Sequence, residues 1–330
     1  MKSLIRTLVL LLSFTPIFLY DSARAYPVKL LHMEYKDPHY TKHVFLVGDV
    51  HCRASEKSQE GIKVIEHSGR FFELLGSSSR GQRSLPVLWE IAASEASYDK
   101  SRLYMHRQAK KLSKMHKNKK SRLVVTPSDT LRKISPLLRK LMYLALAKPG
   151  IAKAKLKSNG FRLKVSQSLE RIFLPKSGNL LEKRLFQTSN QQSLPRHITA
   201  SLNQNLKWHR QQIIRLRQNL SYPPNRIFAE NLVDELKINL SRNTADLEFL
   251  VNIFSNNSKI IMVYAGNGHI RRLQKFLYKL DFKASFEIEN GHYLSKSAFE
   301  AFGLNLKDSV NLIEKHSPSS FLENIPYITI

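Results

Sequence analysis

Short apolar runs that end in turn residues alternate with amphipathic stretches along this chain, and this alternation constrains the fold most. The apolar runs are rich in β-branched and aromatic residues and are bounded by turn residues, which is typical of buried strands. Four such runs are found, at 43–47, 85–89, 122–126 and 259–264, and the alternating segment 282–288 is a candidate fifth strand. The pattern predicts an α/β fold with a mostly parallel central sheet flanked by helices.

Helical spacing is clearest in two segments between and after these runs. In 226–240, Phe228, Leu232, Leu236 and Leu240 recur every four residues and form one apolar stripe. A second stripe extends from Ile270 to Leu280. Both stripes predict helices that pack one face against the sheet.

The N-terminus has the pattern of a secretory signal. Lys2 and Arg6 precede an apolar run over 8–19, and Ala23-Arg24-Ala25 has the small-x-small form of a cleavage site. We therefore expect residues 1–25 to be a signal peptide and the mature chain to be periplasmic or secreted. The alternative is an uncleaved membrane anchor, although the run is short for a span. A single cysteine, Cys52, excludes an internal disulfide and a Cys-rich zinc module.

Positive charge is concentrated in the middle of the chain. The formal charge is +27, and residues 101–220 contribute +25 of it, from 28 Lys and Arg against three acids. This stretch is mostly helical in pattern, with interruptions at Pro149, Pro175 and Pro195. We therefore predict a basic helical insertion at 101–220 between two halves of an α/β core, at 26–100 and 221–330.

The basic stretch has two interpretations. It could bind an anionic membrane surface or another polyanion, because a concentrated positive field attracts such partners. It could instead be an ordinary solvated helical surface. No specific nucleic-acid partner is expected, since no nucleic-acid-binding motif accompanies the charge.

The ends of the predicted strands carry the residues suited to chemistry. Gly-Asp-Val-His follows the first strand at 48–51, Glu90 ends the second, and Gly-Asn-Gly-His follows the fourth at 266–269. Ligands bind beyond the carboxyl ends of parallel strands, so these residues are expected to converge there. Imidazole and carboxylate groups suit Zn²⁺, Mn²⁺ or Fe²⁺. Gly48 and Gly266 would let the backbone approach a bound cofactor closely.

Each candidate also has a purely structural interpretation. His51 could begin a helix and pack against the core, His269 could cap the helix that follows it, and Glu90 could form a salt bridge. For Asp129 and His67 the structural interpretation is favoured. Ser128-Asp129 has the pattern of a helix N-cap, and His67 lies in a helical stretch.

The repeated strand-end motif resembles a known family. Members share a Gly-x-x-His after the first strand, a Glu that ends the second, an Arg on a later helix and a second Gly-x-x-His near the C-terminus. Here these elements correspond to 48–51, Glu90, Arg226 and 266–269, with Asp49 where many members have Glu. In this order and spacing the chain resembles the erythromycin esterase/ChaN-like superfamily, which includes TraB/PrgY proteins and Tiki-type metalloproteases. The resemblance covers 43–95 and 225–290.

The resemblance implies a hydrolase-like site or a site that binds metal or haem. His51 and His269 would be metal ligands or general bases, and Glu90 a ligand or the acid that orients water. Asp49 would support a histidine, and Arg226 would stabilise an anionic substrate group. A metal-dependent hydrolase of ester or peptide bonds, acting on a small molecule or peptide, is therefore expected.

Other classes remain open or are disfavoured by the motifs. The alternative is a secreted, non-enzymatic protein that binds haem or an anionic surface. A calcineurin-like metallophosphoesterase is disfavoured because its Gly-Asp-x-x-Asp is missing after the Asp-x-His at 49–51. A serine hydrolase is disfavoured because the sequence has no Gly-x-Ser-x-Gly.

Overall fold

The computed structural model describes the following parts of the 330-residue chain: 23–53, 59, 66–67, 69–71, 85–90, 123–127, 135–175, 179, 181–185, 194–222, 226–290 and 294–315. Within these parts, some side chains also lie outside the description, among them those of 51–53, 123–127 and 226–230. The predicted signal peptide at 1–25 therefore lies outside the described residues, apart from the backbone of 23–25.

The described strands form one six-stranded mixed sheet. They are β1 (Ala23–Lys36), β2 (Thr41–Arg53), β3 (Leu85–Trp89), β4 (Leu123–Pro127), β5 (Ile260–Gly266) and β6 (Lys283–Glu289). The order across the sheet is β4-β3-β5-β2-β1-β6. The β2–β5, β5–β3 and β3–β4 pairs are parallel, whereas β1 is antiparallel to both β2 and β6.

The α/β class is confirmed, and the sheet is mixed. All five predicted runs are strands with ends shifted by a few residues, but β1 is an additional strand. The long β1–β2 hairpin and the β1–β6 pair together involve more paired residues than the parallel ladders. The finer expectation of a mostly parallel sheet is therefore not confirmed.

The first predicted strand does not end at Gly48. β2 continues to Arg53, because β1 pairs along it from Lys36↔Thr41 up to Ala23↔Arg53. The backbone of His51 lies within this strand, opposite Ala25, and is neither in a turn nor at a helix start. The expectation that residues 48–51 follow the first strand is therefore wrong, because they lie within it.

Helices account for most of the remaining described residues. They are α1 (Pro136–Ala147), α2 (Pro149–Lys157), α3 (Asn159–Phe173), α4 (Arg196–Ser221), α5 (Arg226–Leu236), a π-helix (Lys237–Asn243), α6 (Thr244–Ser255), α7 (Asn267–Tyr278) and α8 (Lys296–Lys315). The predicted interruptions are confirmed. Pro149 begins α2, Pro175 follows α3 and Pro195 is the N-cap of α4.

Three apolar clusters organise the layers. One face of the sheet packs against α6, α7 and the first half of α4. The other face packs against α8 and Phe71. The third cluster lies among α1, α2, α3, α5 and the second half of α4. Helix α4 therefore joins the helical layer to the sheet, and β4 at 123–127 contributes a sheet strand from within the basic stretch.

One basic residue of this stretch has a clear structural role. Arg162 on α3 is 3% exposed, and its guanidinium donates to the carbonyls of Leu156, Lys157 and Leu220. These carbonyls lie at the C-terminal ends of α2 and α4, where helices leave acceptors unpaired. Part of the positive charge therefore holds the helical layer together.

Candidate active site at the strand ends

Three of the residues singled out from the sequence surround Gly266 at the carboxyl end of β5. A methyl group built on Gly266 would lie 3.4 Å from Glu90 Oε2, 3.6 Å from Asp49 Oδ1 and 3.9 Å from His269 Cδ2. Asp49 is paired with Gly266 across the parallel ladder, and Glu90 follows β3. The parallel arrangement of β2, β5 and β3 thus brings Asp49, Glu90 and His269 to one edge.

Glu90 is held by backbone on both sides. Its own N–H donates to the Tyr264 carbonyl at 3.0 Å, and its Oε2 accepts from the Gly266 N–H at 2.5 Å. Its other oxygen, Oε1, lies 3.5 Å from His269 Nε2. One carboxylate oxygen is therefore fixed by the strand end while the other faces the imidazole.

His269 is oriented by a residue that sequence reasoning missed. Its Nδ1 lies 2.5 Å from Asp246 Oδ1, in the first turn of α6. The Arg272 guanidinium, one turn further along α7, donates to Asp246 Oδ2. No local sequence motif marks Asp246. Arg272 does have a signal in the sequence, because it lies three residues after His269, a spacing that puts both on one helix face.

The surroundings of His269 favour its charged form. Burial lowers the pKa of the His269 imidazole, but the hydrogen bond to Asp246 and the negative charge of Glu90 outweigh this effect. The pKa of His269 is therefore raised above 6.5, its ordinary value. The site can hold a proton on His269 between two carboxylates.

Tyr264 adds a buried hydroxyl next to Asp49. Burial raises the pKa of the Tyr264 phenol well above 10, and the negative charge of Asp49 and a hydrogen bond to it act in the same direction. Trp89 stacks on the Tyr264 ring with centroids 4.3 Å apart. Tyr264 is therefore a neutral group beside Asp49 at the edge of the site.

Gly48 permits the close approach of α7. A methyl group built on Gly48 would lie 2.6 Å from Asn267 Oδ1 and 3.2 Å from Lys29 Cβ. Only a residue without Cβ allows the first residue of α7 to lie this close to β2. Gly48 thus sets the position of the helix that carries His269.

A buried lysine fixes the same helix start to the sheet. Lys29 on β1 is 2% exposed, and its Nζ pairs with Glu287 at 2.7 Å and Glu289 at 2.8 Å, both on β6. Glu289 also accepts from Asn267 and from Arg271 on α7. This network links β1, β6 and α7, and it was not foreseen from the sequence.

The remaining predicted residues are not placed against this site. The side chains of His51 and Arg226 lie outside the described residues; Arg226 begins α5. Asp129 also lies outside them. His67 is buried 6.2 Å from the ring of Phe299 on α8, in the core on one face of the sheet.

The donor atoms at Glu90 and His269 fit a divalent metal. Glu90 Oε1 and His269 Nε2 are 3.5 Å apart, close to the roughly 3.3 Å expected for two ligands of one tetrahedral ion. The Asp246 contact at Nδ1 matches the carboxylate that usually accepts from the outer nitrogen of a metal-bound histidine. The described residues supply two ligands here, and His51 is the third that the sequence predicts.

A cavity next to Asp246 is too small for haem. A cavity of about 160 Å³ lies between α4, α6 and α7 and is lined in part by Asp246, Arg272 and Trp208. This is smaller than the roughly 300 Å³ at the low end of ligand pockets. The cavity therefore does not accommodate a porphyrin.

A second group of metal-type ligands lies elsewhere on the sheet. His32, Glu34 and His43 each offer one atom, and these three atoms lie within 4.8 Å of one another. Among the described residues it is the one cluster of three His, Cys, Asp or Glu side chains with this proximity. It belongs to the β1–β2 hairpin and was not predicted.

No protein-family model, curated protein or solved structure matches this chain. In the described part of the chain, no helix is both long and apolar enough to span a membrane.

Proposed function

We propose that this chain is an exported, metal-dependent hydrolase that cleaves an ester or peptide bond at the site of Glu90 and His269, as in the erythromycin esterase/ChaN-like superfamily. The observation that supports it most is the continuous contact from Asp246 through His269 to Glu90 at the carboxyl ends of parallel strands. An acid, an imidazole and a second acid in contact are a common basis for hydrolysis.

Each residue has a distinct task in this proposal. Zn²⁺, Mn²⁺ or Fe²⁺ bound by Glu90 and His269, with His51 as third ligand, would supply Lewis acidity and a water of lowered pKa. Asp246 holds the His269 ring so that Nε2 faces Glu90. The Gly266 N–H fixes Oε2 of Glu90 and leaves Oε1 free to coordinate the ion.

Two further residues are assigned to the substrate. Arg226, at the start of α5, is assigned to an anionic group of the substrate or to the developing oxyanion. Asp49, which lies next to Gly266, contributes negative charge. The substrate is a small ester or a peptide, and its identity is left to activity screening.

The direct test uses hydrolysis of p-nitrophenyl acetate and of a fluorogenic peptide library by the purified protein. Turnover should be abolished by a chelator, restored by Zn²⁺ or Mn²⁺, and lost in Glu90→Gln. Glu300→Gln is the matched control, because Glu300 is an exposed residue that pairs only with Lys296 in the described part of α8. Equal turnover in Glu90→Gln and Glu300→Gln would overturn the proposal.

A second candidate is docking on an anionic membrane by the basic helices. Large apolar side chains are exposed beside the lysines and arginines of α2, α3 and α4, namely Ile151, Leu163, Trp208 and Ile214. Apolar side chains within a basic surface are typical of membrane contact. Co-sedimentation with anionic vesicles, lost at high salt and absent with neutral vesicles, would support this function.

A further inference from the structure

The β1–β2 hairpin brings two imidazoles into direct contact inside the protein. His32 Nε2 and His43 Nδ1 lie 3.0 Å apart, and both residues are at most 3% exposed. Glu34 lies directly opposite His43 in the antiparallel register, with its Oε2 3.8 Å from His43 Nδ1. Three potential ligand atoms therefore lie within 4.8 Å of one another on the sheet.

We propose that His32, Glu34 and His43 form a Zn²⁺ site. Two ligands about 2 Å from one tetrahedral ion lie roughly 3.3 Å from each other, and the observed separations of 3.0 and 3.8 Å bracket this value. Two imidazoles and one carboxylate form a ligand set that zinc takes in proteins, with water in the fourth position.

The surroundings orient the ligands for this task. Ser285 Oγ lies 2.6 Å from His32 Nδ1, so the outer nitrogen is engaged and Nε2 faces the site. The His32 ring stacks on Phe45 with centroids 4.1 Å apart and planes 5° apart. Within the described residues, His43 Nε2 has no hydrogen-bond partner, so the polar contacts of this ring are made at Nδ1. The contact at His32 Nδ1 is of the kind that metal-binding histidines make with their outer nitrogen.

Lys36 occupies the open side of the cluster. Its Nζ pairs with Glu34 Oε2 at 2.8 Å, the same oxygen that faces His43. Lys36 is half exposed and Glu34 about a quarter exposed, so the ammonium can move into water when an ion enters. Lys36 therefore competes with the metal, and its removal should strengthen metal binding.

This site is separate from the one around Glu90. His43 pairs with Ile260 at the beginning of β5, whereas Asp49 pairs with Gly266 at its end. Six residues of strand separate them, roughly 20 Å. An ion at the hairpin would join β1 to β2, and through Ser285 to β6, so its expected role is structural.

The test is Zn²⁺ titration of the full chain, followed by calorimetry and thermal unfolding, with Co²⁺ absorption to report tetrahedral coordination. The titrations use a Glu90→Gln/His269→Ala background, so that only the hairpin site is measured. Zn²⁺ at a hundredfold excess over Kd should raise Tm by roughly 5 °C. His43→Gln and Glu34→Gln should lose the Co²⁺ band, and Ser285→Ala should weaken binding roughly 10- to 100-fold.

Two further variants separate metal binding from general damage. Lys36→Ala should bind Zn²⁺ more tightly than the parent, a gain that misfolding cannot produce. His39→Ala changes an exposed histidine in the hairpin turn and should bind like the parent. The proposal is overturned if folded parent protein shows no Co²⁺ band, or if Glu34→Gln and Lys36→Ala bind Zn²⁺ like the parent.

Discussion

Asp246 Oδ1 and His269 Nδ1 lie 2.5 Å apart, although 23 residues and strand β5 separate them in the chain. The contact exists because the first turns of α6 and α7 meet at the end of β5. It fixes the imidazole so that its other nitrogen faces Glu90. The chemistry proposed for the site depends on this orientation.

Asp246→Asn should lower the pKa of His269. The hydrogen bond to Asp246 and its charge both raise that pKa against the effect of burial, and the amide carries no charge. NMR titration of the His269 ring in metal-free protein measures the change. Asp234→Asn, at an exposed position on α5, is the control. An unchanged His269 pKa in Asp246→Asn would contradict the role given to this contact.

Gly48→Ala should destabilise the protein by about 1–3 kcal/mol, the usual cost of overpacking. The added methyl group would meet Asn267 Oδ1 at 2.6 Å, Lys29 Cβ at 3.2 Å and the Asn267 Cα at 3.3 Å, so the Asn267 side chain has to rotate away and the backbone of α7 has to give by a few tenths of an ångström. The control is Gly160→Ala on α3, where a methyl group meets nothing within 4 Å and should be neutral or slightly stabilising. Urea unfolding measures both. Equal stability of the two variants would refute this account of Gly48.

Lys29→Ala should cost about 2–3 kcal/mol of unfolding free energy. The loss is smaller than the roughly 3–5 kcal/mol typical of a fully buried pair, because Glu287 and Glu289 remain partly hydrated. Lys29→Met combined with Glu287→Gln and Glu289→Gln should recover much of it, since no unpaired charge is left. If the triple variant is less stable than Lys29→Ala, the unpaired charges of Glu287 and Glu289 are not the cause of the lost stability.

Acid should destabilise the protein in part through His209. This residue on α4 is 2% exposed and hydrogen-bonds Thr244, and burial lowers its pKa to about 4. Between pH 6.5 and 4 the unfolded chain therefore binds more protons at this histidine than the folded protein. The unfolding free energy should fall by up to about 3 kcal/mol over this range.

His209→Gln should remove this part of the pH dependence, because glutamine does not titrate. The measurement is denaturant unfolding of both proteins at several pH values from 7 to 4. His197→Gln, at an exposed position on the same helix, should retain the slope of the parent. Identical slopes for the parent and His209→Gln would exclude His209 as the source.

The sequence allowed the parallel strands to be predicted but not the hairpin partner. Strands β3, β4 and β5 are compact apolar runs bounded by turn residues, which is a local signal. Strand β1 was missed because it buries Lys29 and His32 and closely follows the apolar run at 8–19 in the sequence. Their burial is explained only by partners on β2 and β6, which are distant in the chain.

In the candidate site, the residues at strand ends could be predicted from the sequence, whereas those placed by helix packing could not. Glu90 and His269 follow strands, and a parallel sheet brings strand ends together, so their proximity follows from topology. Asp246 lies inside a long helical segment, and only the packing of α6 on α7 places it beside His269. The cluster of His32, Glu34 and His43 depends on the β1–β2 register, which no local pattern indicates.

The most direct test of the central claim is metal content, measured by mass spectrometry on folded protein after incubation with Zn²⁺ and removal of excess metal. Four proteins are compared: the parent, Glu90→Gln/His269→Ala, His32→Gln/His43→Gln, and the variant with all four changes. The account predicts about two ions in the parent, one in each double variant and none in the combined variant. If Glu90→Gln/His269→Ala retains as much metal as the parent, Glu90 and His269 are not metal ligands, and the proposed hydrolytic centre is contradicted.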